Sequence, residues 1–71
     1  MPERVTAEMV ANVLTVLVSA GEAVEAGQTL VLLESMKMEI PVVPEAAGTV
    51  TRVAVAVGDV VQEGDLLVVL E

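Results

Sequence analysis

The chain has 71 residues, with eleven acidic side chains against three basic ones and a formal net charge of −8, so its surface repels phosphate backbones and excludes a nucleic-acid binder. Cysteine, histidine and every aromatic residue are absent, which rules out disulfides and any thiolate or imidazole metal site. One domain, residues 1–71, is expected, near the lower size limit for folding without a staple, so closed sheet packing has to hold it together.

In chain order, the first predicted element is a short strand near Arg4 to Thr6. A β-branched strand, Val13 to Val18, follows and is closed by Gly21. The segment Gly21 to Gly27 reads as a loop whose two glycines supply positive φ, with Val24 plugging the core between them. Thr29 to Leu33 is the next strand. Met38 to Val43 is another, with Pro41 marking an edge position and Pro44 a strand end. Val50 to Val55, the loop Gly58 to Gly64 with Val61 as its plug, and the strand Leu66 to Leu70 complete the chain. No segment carries a helical period, and none approaches the roughly 18 uninterrupted apolar residues of a membrane span. No basic start leads into an apolar run, which argues against a signal peptide. A cytoplasmic location is the expectation, as is a monomer.

The elements form two copies of one pattern. Adding 37 to a residue number takes Val13 to Val50, Gly21 to Gly58, Val24 to Val61, Gly27 to Gly64, Leu33 to Leu70 and Glu34 to Glu71. A bias toward valine would not hold glycines and a glutamate in register, so the match is an internal duplication. Two copies sharing one core predict an all-β barrel or sandwich with approximate twofold symmetry. Met38 has Met1 as its mate, so the chain ends occupy the symmetry position of the Met36-Lys37 turn. Both termini are therefore expected at one end of the barrel, with Lys37 on a hairpin tip at the other.

Lys37 is the only lysine, set in Glu34-Ser35-Met36-Lys37-Met38-Glu39 at the junction of the repeats. Met36-Lys37 suits a two-residue hairpin loop poorly, because such loops demand positive φ and favour Asn-Gly or Asp-Gly. A local rule broken at one exposed point suggests function. A unique amine there is a place to attach a prosthetic group. An exposed alkylammonium is a poor nucleophile at neutral pH, so a separate ligase has to activate the acid and remove the proton. The domain itself is expected to be non-catalytic, with no catalytic residue and no metal. The alternatives are a carrier of a different acyl group and an unmodified interaction domain.

The run Glu34-Ser35-Met36-Lys37-Met38-Glu39 resembles the biotin-attachment motif of the biotinyl/lipoyl-attachment family, and the likeness extends from about Ala7 to Glu71. Lipoyl domains typically carry an acidic residue before the lysine and alanine after it, so Met36 and Met38 favour biotin over lipoate. The resemblance implies a flattened barrel of two four-stranded antiparallel sheets, a barrel-sandwich hybrid, with biotin on Lys37. It also implies ligase recognition through Met36 and Met38, with Glu34, Ser35 and Glu39 as the flanking motif. The partners implied are a biotin protein ligase, a biotin carboxylase and a carboxyltransferase with an acyl-CoA acceptor. The chain is similar to free-standing bacterial biotin carboxyl carriers. It departs from the family at Ser35, where alanine is common, at Ala11, where glycine is usual and Gly48 keeps it, and at Val10, which replaces a proline. There is no room for the protruding thumb of some carriers.

Overall fold

The computed structural model describes residues 2–71. Its eight strands are β1 (Glu3–Thr6), β2 (Ala11–Val16), β3 (Ala23–Val24), β4 (Val31–Ser35), β5 (Met38–Val42), β6 (Gly48–Val53), β7 (Val60–Val61) and β8 (Leu66–Leu70). They form two four-stranded antiparallel sheets, ordered β1-β8-β6-β3 and β5-β4-β2-β7. This is the expected all-β barrel-sandwich.

Each sheet mixes the two repeats. The central pair of one, β4 and β2, comes from the first repeat and is flanked by β5 and β7 from the second; the other sheet reverses the roles. The equivalence reaches individual hydrogen bonds. Gly58 N donates to Val13 O at 2.9 Å and Gly21 N to Val50 O at 2.7 Å, while Val13 N donates to Asp59 O and Val50 N to Glu22 O, both at 2.8 Å. Every one of these contacts crosses from one repeat to the other, so neither copy satisfies its own backbone. The bulges repeat as well: Leu14 is the extra residue between Val13 and Thr15, and Thr51 between Val50 and Arg52.

Among the described residues the core cluster is built of valine, leucine and alanine with Ile40 packed against it, and it buries Val13 with its mate Val50, Leu30 with Leu67, Val31 with Val68, and Leu33 with Leu70. No polar or charged side chain is buried among the described residues. Val24 and Val61 are the core plugs that the glycine spacing implied, and Gly21, Gly27, Gly58 and Gly64 all have positive φ. The two loops are not wholly irregular, however. Ala23–Val24 pairs with β6 and Val60–Val61 with β2, making two short strands that a local reading missed because only a partner from the other repeat defines them.

Strand limits shift for a similar reason. The second and sixth strands begin and end two residues earlier than expected, at Ala11–Val16 and Gly48–Val53, and the fourth runs two residues further, to Ser35. Cross-strand pairing holds Glu34 and Ser35 extended against Glu39 and Met38. Pro41 stands on the edge strand β5, where a missing donor is tolerated, and β5 ends before Pro44. Met1, the mate of Met38, lies outside the described residues. The termini still declare their place: Glu3 pairs with Leu70, and Glu45 N, beyond the far end of β5, donates to Glu3 Oε2 at 3.0 Å. Glu3 and Leu70 therefore lie at the end of β5 opposite to Lys37.

Candidate functional site

The site is the tip of the β4–β5 hairpin. Ser35 and Met38 are its last cross-strand pair, leaving Met36 and Lys37 as a two-residue loop. Their φ angles are 53° and 66°, the only positive values among described residues other than glycine. Positive φ at both central positions matches the type I′ geometry that agrees with strand twist. For L-residues that region costs roughly 1–2 kcal/mol each. The core holds the turn in spite of this, because Leu33 and Ile40, paired two steps below the Ser35–Met38 pair, anchor the hairpin on the interior.

The turn presents Lys37 to solvent, flanked by Met36 at 88% exposure and Met38 at 61%. Neither methionine fills the core, so both side chains are open to a visiting protein. Alternation along the strands then sorts the flanking motif. Glu34 pairs with Glu39, placing two carboxylates on one face just below the amine, while Ser35 is half-buried opposite Met38. Like charges directly opposite destabilise a sheet, and here they give the lysine an anionic setting. Asn12 is opposite Glu34 on the other side. Sequence spacing gave no reason to single it out, since only the β2–β4 register brings it there.

A groove of ≈350 Å³ runs between the edge strands β1 and β5, lined by Leu33, Ile40 and Val42 among others, but Met36, Lys37 and Met38 do not line it. The amine thus starts on an open apex rather than inside a cavity. Among the described residues no group of three His, Cys, Asp or Glu side chains could hold a metal ion. An amide-linked group fits this geometry: one exposed amine, no enclosing wall, and a rigid two-residue base.

A small β-scaffold that lifts one amine on a turn of two positive-φ residues has the form of an attachment domain. Comparison with known proteins agrees. The family model described as "Biotin-requiring enzyme" matches residues 1–70. The "Biotinylated protein TB7.3 homolog" of Mycobacterium leprae is 60% identical over 50 residues, covering 70% of each chain. Among solved structures, a single-chain, multi-domain long-chain acyl-CoA carboxylase superposes with a TM-score of 0.89 at 35% identity, over 96% of this chain and 7% of that one. The lipoyl domain of the 2-oxoglutarate dehydrogenase complex from Azotobacter vinelandii gives a TM-score of 0.77 at 27% identity, over 94% of this chain and 95% of that domain. The chain belongs to the biotinyl/lipoyl-attachment family, with covalently bound biotin as its cofactor.

Proposed function

We propose that Lys37 is the attachment point and that the domain acts as a biotin carboxyl carrier, moving a carboxyl group between a biotin carboxylase and a carboxyltransferase whose acceptor is an acyl-CoA. The observation carrying this reading is the Met36-Lys37 turn, which keeps two non-glycine residues at positive φ while exposing both side chains. The similarity to a domain of a long-chain acyl-CoA carboxylase favours an acyl-CoA acceptor, and a comparable similarity to a urea carboxylase makes urea the competing acceptor.

In loading, a biotin protein ligase presents an activated acyl carbon and takes a proton from Lys37 Nζ. The amine attacks, the activating group leaves with its bonding electron pair, and the nitrogen releases its second proton to the ligase or solvent as the amide forms. One of three cations disappears, so the domain becomes one unit more negative than −8. Met36 and Met38 supply the apolar contacts on either side of the amine, and Glu34, Ser35 and Glu39 set the hairpin's outline for the ligase. Biotin, once attached, supplies a ring nitrogen that accepts and releases the carboxyl group. The barrel contributes a fixed base, and the rigid turn keeps the arm clear of the core.

Lys37→Arg preserves charge but offers no acceptor amine. Incubation with a biotin ligase, ATP and biotin, followed by avidin blotting and intact mass, is expected to label the parent chain and leave this variant unlabelled. Label persisting on the variant would move the site to the N-terminal amine. The fold likeness to a lipoyl domain keeps a second reading in view. Met36→Asp with Met38→Ala tests it: the pair is expected to lose biotin transfer while remaining folded, because both side chains are exposed. Undiminished transfer would mean that hairpin geometry alone directs the ligase.

A further inference from the structure

The repeats agree throughout the core but not on the surface. Met9, Val10, Val57 and Val60 are exposed large apolar side chains, at 38%, 63%, 65% and 66%. Their repeat mates are Ala46, Ala47, Ala20 and Ala23, and all four of these are exposed too. The fold therefore accepts alanine at each position and does not need the larger side chain. What distinguishes the two sets is the end of the molecule at which they stand.

Register puts the large set on the lysine side. Val60 pairs with Asn12, which pairs with Glu34, which pairs with Glu39, so Val60 belongs to the cross-strand row beneath the turn. Val10 immediately precedes β2, whose start lies beside the end of β4 where the chain enters the turn. Met9 approaches the hairpin from the groove, which it lines together with Leu33 and Ile40. Val57 leads into Gly58, whose amide bonds to Val13 of β2. The alanine set occupies the opposite end: Ala23 pairs with Thr49, whose backbone is bonded to Glu71. With Met36 and Met38, six of the eight exposed large apolar side chains among the described residues stand at the end of the molecule that carries the amine. The other two, Leu17 and Val43, lie where β2 and β5 have run away from the turn.

We propose that Met9, Val10, Val57 and Val60 extend the Met36 and Met38 pair into an apolar pad on which the ligase that acylates Lys37 docks. The inference rests on Lys37 being the attachment point. The occupant follows from reach. An enzyme that acts on the loaded group meets it at the end of a long arm, whereas the ligase must bring its acyl carbon within one lysine side chain of the turn and so must cover the surface around it. Charge defines that partner further. Arg52 stands on the other sheet and Arg4 is the one arginine on the groove that Met9 also lines, while Glu8, Glu34, Glu39 and Asp59 adjoin the pad in sequence or register and leave it net acidic. The ligase surface is accordingly an apolar floor flanked by basic side chains, with the charges governing encounter and the apolar contacts governing residence.

The test replaces all four residues by alanine, the residue the fold already carries at each mate. The control is Leu17→Ala with Val43→Thr, which also installs repeat mates but away from the turn. Biotin transfer by a biotin protein ligase is measured with ATP and biotin saturating and the unmodified domain varied. KM for the domain is expected to rise about tenfold in the fourfold variant, with kcat within about twofold, and the control is expected to match the parent. An unchanged KM, or an equal rise in the control, would overturn the pad. Should the fourfold variant melt below the assay temperature, Val10→Ala with Val60→Ala takes its place, and an unchanged KM there is equally fatal. If the parent chain accepts no biotin, the reading of Lys37 falls and the pad falls with it; normal transfer with unchanged KM removes the pad alone.

Discussion

Replacing Lys37 by glycine is expected to stabilise the domain while removing the proposed attachment amine. At φ 66° the lysine occupies the left-handed region, which costs an L-residue roughly 1–2 kcal/mol. Glycine removes that cost but adds about 0.5–1 kcal/mol of chain entropy to the unfolded state. The net gain is about 0–1.5 kcal/mol. For a domain of this size, where 1 kcal/mol moves Tm by about 4–8 °C, the expected rise is about 4–5 °C at the centre of that range and at most about 12 °C. Lys37→Ala is the necessary comparison, since it removes the charge and the long side chain but keeps the Cβ that creates the strain. Thermal melts by circular dichroism, with urea titrations on the same samples, supply both numbers. Glycine less stable than alanine by about 0.5–1 kcal/mol, its bare entropy cost, would show that the turn stores no strain, and the case for a function-driven sequence at this apex would lose its physical basis. Met36→Asn combined with Lys37→Gly, the pair that a type I′ turn prefers, is expected to gain more than either change alone.

Gly21→Val and Gly58→Val are each expected to cost about 1 kcal/mol or more, because φ is +94° at both and a β-branched residue is strained there. Nothing lies within 4 Å of either built Cβ, so the loss is conformational, and Met36→Leu in the same melts is expected to be nearly neutral. Gly48→Ala fails for a different reason: its Cβ would sit 2.9 Å from the Glu71 carbonyl oxygen, beside the two backbone bonds joining Thr49 to Glu71. Deleting Glu71 from that variant is expected to cost less than deleting it from the parent, and strict additivity in the double-mutant cycle would contradict the clash. Glu39→Gln removes one of two facing carboxylates and is expected to raise stability by about 0.2–1 kcal/mol. The gain should shrink as salt is added; a gain that persists at high salt would assign it to something other than charge.

The amino-acid sequence determined more of this protein than its length suggests. The 37-residue repeat required a twofold all-β architecture, the glycine pairs marked four positive-φ turns, and the unique lysine between two methionines marked the exposed hairpin turn. These are local or periodic signals, and local chemistry enforces them: only glycine enters those φ values cheaply. The symmetry argument even placed Lys37 opposite the termini. Tertiary structure decided the rest. The short strands β3 and β7 exist only because the other repeat supplies their partners, and the pairing of Glu34 with Asn12 depends on a register set partly by the bulge at Leu14. A one-residue slip in either register would move a whole row of side chains to the opposite face. The apolar pad belongs to the same category, since Met9, Val10, Val57 and Val60 are ordinary surface residues until the pairing of β2 with β4 and β7 gathers them beside the turn. Contacts between distant segments are selected by the shared core, and no short stretch of sequence contains that information.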